Sequence, residues 1–363
     1  MKIKLKEIAS FSKGQQINGD DLLSVGDFAY LNGGISPSGY WDKYNVVANS
    51  IAISEGGNSC GYVNYMKSPF WCGAHCYYLF NLKTPNVKYL YYALKSQQDR
   101  IMQLRSGACM PNIKKSDLGE FEFSFDFDSE NQALIVAQLD NLERLIDFRK
   151  QQLLKLDELV KSRFIEMFGD INTNDRNWDC QPLGELCTIV RGGSPRPIEN
   201  FLGGDVPWIK IGDATKGDTI YLHATKEHII QEGVKKSRLV KSGSLIFANC
   251  GVSLGFARII TFEGCIHDGW LAMEDIDVRL DKVFLLQALN QMTDHFRKIA
   301  PAGTQPNLNT AIMKAYVQII PPMELQKEYI AFVEQTDKSK FEIQKSLEKL
   351  ETLKKALMQK YFG

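Results

Sequence analysis

The sequence contains no G-x-x-x-x-G-K-[S/T] phosphate loop and no G-x-G-x-x-G turn, so the two common glycine-rich cradles for nucleotide phosphates are missing. Its eight cysteines, at positions 60, 72, 76, 109, 180, 187, 250 and 265, form no Cys-x-x-Cys pair, and no His-x-x-x-His spacing occurs. Those absences remove the usual zinc frameworks. Free thiols fit a cytosolic chain. An excess of charge is missing too: 43 Lys and Arg balance 43 Asp and Glu, for a net charge of zero. That argues against a stand-alone nucleic-acid binder driven by charge. No apolar run approaches a membrane span, and the opening Met1-Lys2-Ile3-Lys4 lacks the apolar core of a signal peptide. A cytoplasmic location with no membrane partner is expected. Pro321-Pro322 lies in I-I-P-P-M and lacks the flanking acidic or amide and aromatic residues of an amino-methyltransferase box. With no catalytic constellation, no catalytic residue and no metal site are assigned, and the chain is not expected to be an enzyme by itself.

Two long helices are present instead. From Asn131 to Gly169 there is no proline, and the only glycine is the last residue. Leu, Glu, Lys, Gln and Arg crowd the stretch, all strong helix formers. Apolar residues recur at three- and four-residue steps, through Ile135, Leu139, Leu142, Ile146, Leu153, Leu156 and Val160, as on the seam of a coiled coil. At 1.5 Å per residue such a helix is roughly 55–60 Å long, and it needs a partner of similar length. Gln326 to Gly363 supplies one. A displacement of 194 residues lays Gln132 on Gln326, Leu153 on Leu347, Leu156 on Leu350, Leu159 on Leu353, Phe168 on Phe362 and Gly169 on Gly363, without a gap. The expected pairing residues are Leu139, Leu142, Ile146, Leu153, Leu156 and Leu159 on the first helix. On the second they are Ile343, Leu347, Leu350, Leu353 and Leu357. Val160 meets Lys354 in the repeat, so the two seams are not identical. Phe164, Phe168, Met358 and Phe362 are left for either a docking surface or an intramolecular core.

The repeat reaches into the segments before the helices. At an offset of 178, Leu5 and Glu7 meet Leu183 and Glu185, and Gly26 to Leu31 meets Gly204 to Ile209. Near the far end, Gly107 to Ile113 answers Gly303 to Leu308 at an offset near 195, so the second copy carries insertions in its middle. The order expected is domain (1–130), helix (131–169), domain (170–325), helix (326–363). Short apolar or alternating runs bounded by Gly, Asn, Asp or Pro predict strands at Phe28–Leu31, Ser50–Ser54, Cys76–Phe80, Glu120–Phe125, Val206–Ile211, Ser244–Ala248, Phe256–Phe262 and Tyr316–Ile320. One helix is expected per domain, at Val87–Gln103 and Lys282–Lys298. The fold class is α+β: two β-rich domains in tandem, separated by two long coiled-coil helices.

Cys72-Gly-Ala-His75-Cys76 could hold a metal, but half of it falls on a strand and its counterpart around Cys265 and His267 keeps one Cys and one His. Buried core thiols are the simpler reading. His267-Asp268 resembles part of a catalytic pair, yet reads as a turn opposite Ala74-His75. The remaining signal is polar and basic residues on expected loops: Lys13, Gln16, Asn32 and Asn49 in the first domain. In the second they are Arg191, Arg196, Lys210, Lys226, Lys235, Lys236 and Arg238. Arg, Asn and Gln can read base edges with paired hydrogen bonds, while Lys and Arg hold phosphates. Residue by residue, each also fits a solvated surface.

In combination these features resemble the DNA-specificity subunit of type I restriction–modification systems. The resemblance covers the whole chain and rests on the paired helices ending at Gly169 and Gly363, the L-[GK]-E-[IL] openings and the Pro-Asn-[Ile/Leu] segments before each helix. It implies that each domain is a target-recognition domain reading one half of a split, asymmetric site on double-stranded DNA. It also implies that the two helices pack antiparallel, hold the domains apart and set the unread spacer. The subunit would hold no cofactor of its own. It would dock two methyltransferase subunits, which use S-adenosylmethionine, and restriction subunits, which use ATP and magnesium. An interaction scaffold or degenerate subunit without sequence-specific DNA binding is the alternative. An enzyme using Cys or His chemistry is a more distant one.

Overall fold

The computed structural model describes residues 1–107, 111–215, 217, 219–301 and 307–363. It divides into two compact units, residues 1–151 with 344–363, and residues 152–343. The Gly107–Ile113 and Gly303–Leu308 segments lie partly outside the described residues.

In the first unit the strands are β1 (Lys2–Lys4), β2 (Ser10–Lys13), β3 (Phe28–Leu31), β4 (Gly39–Trp41), β5 (Ser50–Ser54), β6 (Val63–Met66), β7 (Phe70–Cys72), β8 (Cys76–Phe80) and β9 (Glu122–Ser124). They form a four-stranded antiparallel sheet in the order β2-β8-β5-β6, a three-stranded sheet β4-β3-β7 and the pair β1-β9. β5 is buried at all five positions, as a central strand packed on both faces must be. After β8 the chain turns through Asn81 at φ 49°, a conformation that Asn tolerates because its side chain bonds locally. The helix that follows begins where Asn86 accepts the backbone N–H of Tyr89 at 3.1 Å. It is broken at Gln97 into α1 (Val87–Ser96) and α2 (Gln98–Gln103).

The helix α3 (Ser129–Phe168) then leaves the sheets. Its first half belongs to the first unit, where Ile135, Leu139, Leu142 and Ile146 are buried.

The second unit repeats this plan. Its strands are β10 (Asp179–Pro182), β11 (Thr188–Arg191), β12 (Leu202–Ile209), β13 (Tyr221–Leu222), β14 (Glu227–Ile229), β15 (Arg238–Val240), β16 (Leu245–Ala248), β17 (Ala257–Ile260), β18 (Gly264–Ile266), β19 (Trp270–Glu274) and β20 (Val317–Ile320). The sheets are β11-β19-β16-β17-β13, β14-β12-β18-β15 and β10-β20. Strand for strand this is the first unit with one addition per large sheet: β13 and β15 are the insertions that make the offset drift. The parallel closure of β3 on β7 recurs as β12 on β18, Leu31 opposite Cys72 in one unit and Ile209 opposite Ile266 in the other, and the added β13 also pairs parallel, with β17. The turn after β19 uses Asp275 at φ 50°. Asp281 caps α4 (Lys282–Gln291), which is followed by α5 (Thr293–Ile299). The last helix is α6 (Met323–Phe362). Among the described residues, no helix is long and apolar enough to cross a membrane.

Within each unit the two long helices run antiparallel. In the first, Tyr361 Oη donates to Gln138 at 2.6 Å, Lys354 Nζ bonds Glu143 at 2.7 Å and Lys150 faces Glu351 at 3.3 Å. In the second, Arg163 bonds Glu328 at 2.8 Å, Tyr329 Oη donates to the Val160 carbonyl at 3.3 Å and Lys340 meets Asp157 at 2.7 Å. Of the expected seam residues, Leu139, Leu142, Ile146 and Leu347 are buried; Leu153, Leu156, Ile343, Leu350 and Leu357 are half-buried. Leu159 and Leu353 are not seam residues: both are 48% exposed. The inward position is the next one, Val160 and Lys354, and a neighbouring residue on a helix is turned by about 100°. Phe164, Phe168 and Phe362 are not a docking surface either. Each is buried, and Met358 packs partly buried against the first core.

Candidate nucleic-acid interface

The parallel closure of β3 on β7 brings the end of β2, the loop after β3 and the turn into β8 to one place. There Lys13 Nζ lies 2.8 Å from Glu55 Oε1, and His75 Nδ1 lies 3.4 Å from Glu55 Oε2. Glu55 follows β5 and is 8% exposed. Asn32 Oδ1 accepts the backbone N–H of His75 at 3.0 Å, while Asn32 Nδ2 donates to Gln16 Oε1 at 3.0 Å. Three of the four first-domain residues expected at DNA are thus gathered into one polar cluster. Asn49 is not among them. It occupies a turn before β5 at φ 56°, accepting a hydrogen bond from Tyr65 Oη at 3.2 Å.

The same place in the second unit carries different chemistry. Arg191, the counterpart of Lys13, donates through Nε to the Asp268 carbonyl at 3.2 Å. The Asp268 carboxylate accepts from the Ser194 hydroxyl at 2.9 Å and from Arg196 Nη2 at 3.3 Å, and it lies 3.0 Å from His267 Nε2. His267 Nδ1 receives the Gly269 N–H at 2.9 Å, so the neutral ring carries its proton on Nε2, the nitrogen beside Asp268. Burial lowers the His267 pKa, overriding the pull of Asp268. Burial alone would raise the Asp268 carboxyl, but Ser194, His267, Arg196 and Arg191 together hold it below the ordinary value. At neutral pH the pair is therefore a neutral imidazole beside a carboxylate.

Lys210, the counterpart of Asn32, is paired with Glu227, and its ammonium lies 5.8 Å from the centre of the Trp208 ring. Lys236 lies over the Phe201 ring at 4.7 Å, and Ser237 donates to the Gly193 carbonyl at 2.7 Å, which ties this basic run to the Gly193–Arg196 loop. Lys235, Lys236 and Arg238 are exposed, and among the described residues none has a carboxylate partner. Lys226 is also exposed, its backbone N–H directed at Asp213 from 3.4 Å.

Nothing in the sequence singled out Glu55, and Asp268, expected in a turn, was not expected at this face. The equivalence of β7 with β18 and of β8 with β19, each at an offset of 194, sets His267-Asp268 against Gly73-Ala74, and His75 against Gly269, one residue from the correspondence expected from the sequence. The position of Glu55 is held in the second unit by Asn249. Glu55 N–H bonds the His75 carbonyl and Asn249 N–H bonds that of Gly269. A buried carboxylate in one copy is thus a buried amide in the other, a difference that the 194-residue offset exposes once it is applied to this strand end. The thiols of Cys72 and Cys76 are buried, directed at the carbonyls of Cys76 and Tyr77. Among the described residues no group of three or more His, Cys, Asp or Glu side chains is placed to hold a metal ion.

The family described as type I restriction modification DNA specificity domain matches residues 1–158 and again 175–355. A Mycoplasma genitalium protein assigned as a type I specificity subunit is 26% identical over 99% of this chain and 92% of its own length. The type I restriction enzyme MjaIX specificity subunit of Methanocaldococcus jannaschii is 24% identical over 75% of this chain and 67% of its own. Among solved structures, a type I system S subunit from M. genitalium superposes with a TM-score of 0.63 at 24% identity, covering 100% of this chain and 96% of that one. It shares this fold.

Proposed function

We propose, from the premise that this chain belongs to the type I restriction–modification DNA specificity family, that the two polar clusters are its two DNA-reading faces. The observation that carries the reading is the repeated frame with unlike side chains at equivalent points: Lys13, Gln16, Asn32 and Glu55 in one unit, Arg191, Ser194, Lys210 and Asn249 in the other. A constant scaffold with exchanged polar groups is what separate reading of two unlike half-sites requires, because hydrogen-bond donors and acceptors at base edges carry the sequence information. The exposed Lys226, Lys235, Lys236 and Arg238 then hold phosphates.

In this reading α3 and α6 set the unread spacer and carry two methyltransferase subunits that use S-adenosylmethionine. Restriction subunits using ATP and magnesium complete the assembly, and this chain holds no cofactor and performs no chemistry itself. A net charge of zero suits a subunit whose partners contribute to the grip on DNA.

The test is the genome-wide pattern of adenine methylation in the source cell with and without this chain. Loss of one split, asymmetric motif is the expected result. An unchanged pattern, with the methyltransferase partner expressed, would replace this reading by that of a scaffold without sequence-specific binding.

A further inference from the structure

The second unit contains a device that the first lacks, an arginine aimed by an anchored carboxylate. Asp268 is held by three neighbours at once: the Ser194 hydroxyl at 2.9 Å, His267 Nε2 at 3.0 Å, and Arg191 Nε on its carbonyl at 3.2 Å. The loop before Arg196 is pinned as well. Gly193 N–H bonds the Ile266 carbonyl at 3.0 Å, and Gly193 O accepts the Ser237 hydroxyl at 2.7 Å. Against this fixed base Arg196 spends one donor, Nη2, on Asp268 at 3.3 Å, and the rest of a side chain that is 81% exposed points to solvent. A guanidinium has five N–H donors in a planar fork, so a pair of parallel donors remains for a ligand. In the first unit the counterparts of Ser194, Arg196 and Asp268 are Gln16, Asn18 and Ala74, which cannot build the same arrangement.

We infer that Arg196, positioned by Asp268, reads one guanine in the half-site of the second domain through its O6 and N7. The inference rests on the DNA-reading function proposed above and adds the base and the residue. An arginine fork matches the two acceptors that guanine presents in the major groove, and no other base presents that pair. A carboxylate behind the fork restricts its rotation before DNA arrives, which lowers the entropy lost on binding. The neighbouring Lys235 and Arg238 have no such anchor, which suits them to phosphates. Their contribution is uniform across sequences.

The experiment uses the full chain assembled with its methyltransferase subunits and a library of randomised duplex DNA, with the bound sequences counted for wild type, Arg196→Ala, Asp268→Ala and Lys235→Ala. Arg196→Ala loses the preference for guanine at a single position of one half-site by about 5- to 150-fold, the range of one paired base contact, and leaves every other position unchanged. Asp268→Ala weakens the same position and no other, an outcome that a general loss of folding does not give. Lys235→Ala lowers recovery of all sequences without changing the base profile. An Arg196→Ala profile identical to wild type, or uniformly weaker binding, overturns the assignment. A wild-type complex that selects no sequence at all overturns the DNA-reading function instead.

Discussion

Phe168 and Phe362 occupy the same place in the repeat, the last helical residue of α3 and of α6, and truncating each to alanine tests how the helices are anchored. Phe168 has no exposed surface. Its ring centroid lies 5.0 Å from Phe164, 4.9 Å from Phe284 and 5.5 Å from Tyr329. Phe362 is 3% exposed and touches two rings, Tyr89 at 5.2 Å and Tyr361 at 6.4 Å. Loss of a buried phenyl group costs about 3–5 kcal/mol in transfer and cavity terms. One additional aromatic partner is worth about 0.5–1.5 kcal/mol beyond burial, so Phe168→Ala is the costlier change by about 1 kcal/mol. For units of this size each kcal/mol lowers the melting temperature by roughly 2–4 °C, which puts the expected fall at roughly 8–16 °C for about 4 kcal/mol.

The assay is calorimetry of the full chain, combined with hydrogen exchange to locate the loss. Protection should fall first in β10–β20 for Phe168→Ala, and in β1–β9 with α1 for Phe362→Ala. Leu159→Ala and Leu353→Ala serve as controls. These leucines are each 48% exposed, so each change should stay within about 0.5 kcal/mol. A Phe168→Ala loss below about 1 kcal/mol, or equal losses from Leu159→Ala and Phe168→Ala, would refute this account of the helix ends, since a buried ring should cost several times more.

Inserting one heptad at matched places, after Gln151 in α3 and after Ile343 in α6, lengthens each helix by about 10.5 Å. The spacer in the methylated motif should grow by about three base pairs at 3.4 Å each while both half-sites stay the same; a changed half-site would sink the idea of a ruler. Lys95 offers a pH test in the first unit. Its ammonium donates to the Val63 carbonyl at 2.9 Å and to Gln98 at 3.0 Å, and it lies 3.5 Å from the Tyr62 ring centre. Burial, and then the charge of Lys354, lower its pKa to about 8, with Glu143 opposing. The unfolded chain keeps the ordinary lysine value of about 10.4. Between those two values the unfolded state binds more protons, so this residue makes stability rise with pH across the window. Denaturation of wild type and Lys95→Met from pH 8 to 9.5 should give a shallower rise in the variant, and parallel curves would contradict the burial of that charge.

Much of the frame was readable because it repeats. Strands β3, β5 and β8 have the bounds that their apolar runs predict, and the helices begin three residues or fewer from the expected starts. The expected single helix at Val87–Gln103 is divided at Gln97, a break that apolar periodicity does not register. Leu159 and Leu353 were misplaced because leucines one position from a seam still satisfy a loose spacing of three and four. The aromatic residues at the helix ends needed their partners before they could be assigned to the core, since Phe164 meets Phe284 and Tyr329 across more than a hundred residues.

What the sequence by itself determined is the order of parts: two copies of a strand-rich domain, each followed by a long helix, with insertions confined to the middle of the second. Local propensity and the period of apolar residues act over a few residues, and a repeat makes them visible twice. Only the tertiary structure decided which polar groups work together. Lys13 reaches Glu55 across 42 residues, and Ser194 reaches Asp268 across 74. Those meetings follow from strand register, above all the parallel closures of β3 on β7 and of β12 on β18. Register depends on the packing of entire sheets, and a slip of one residue exchanges the faces of a strand.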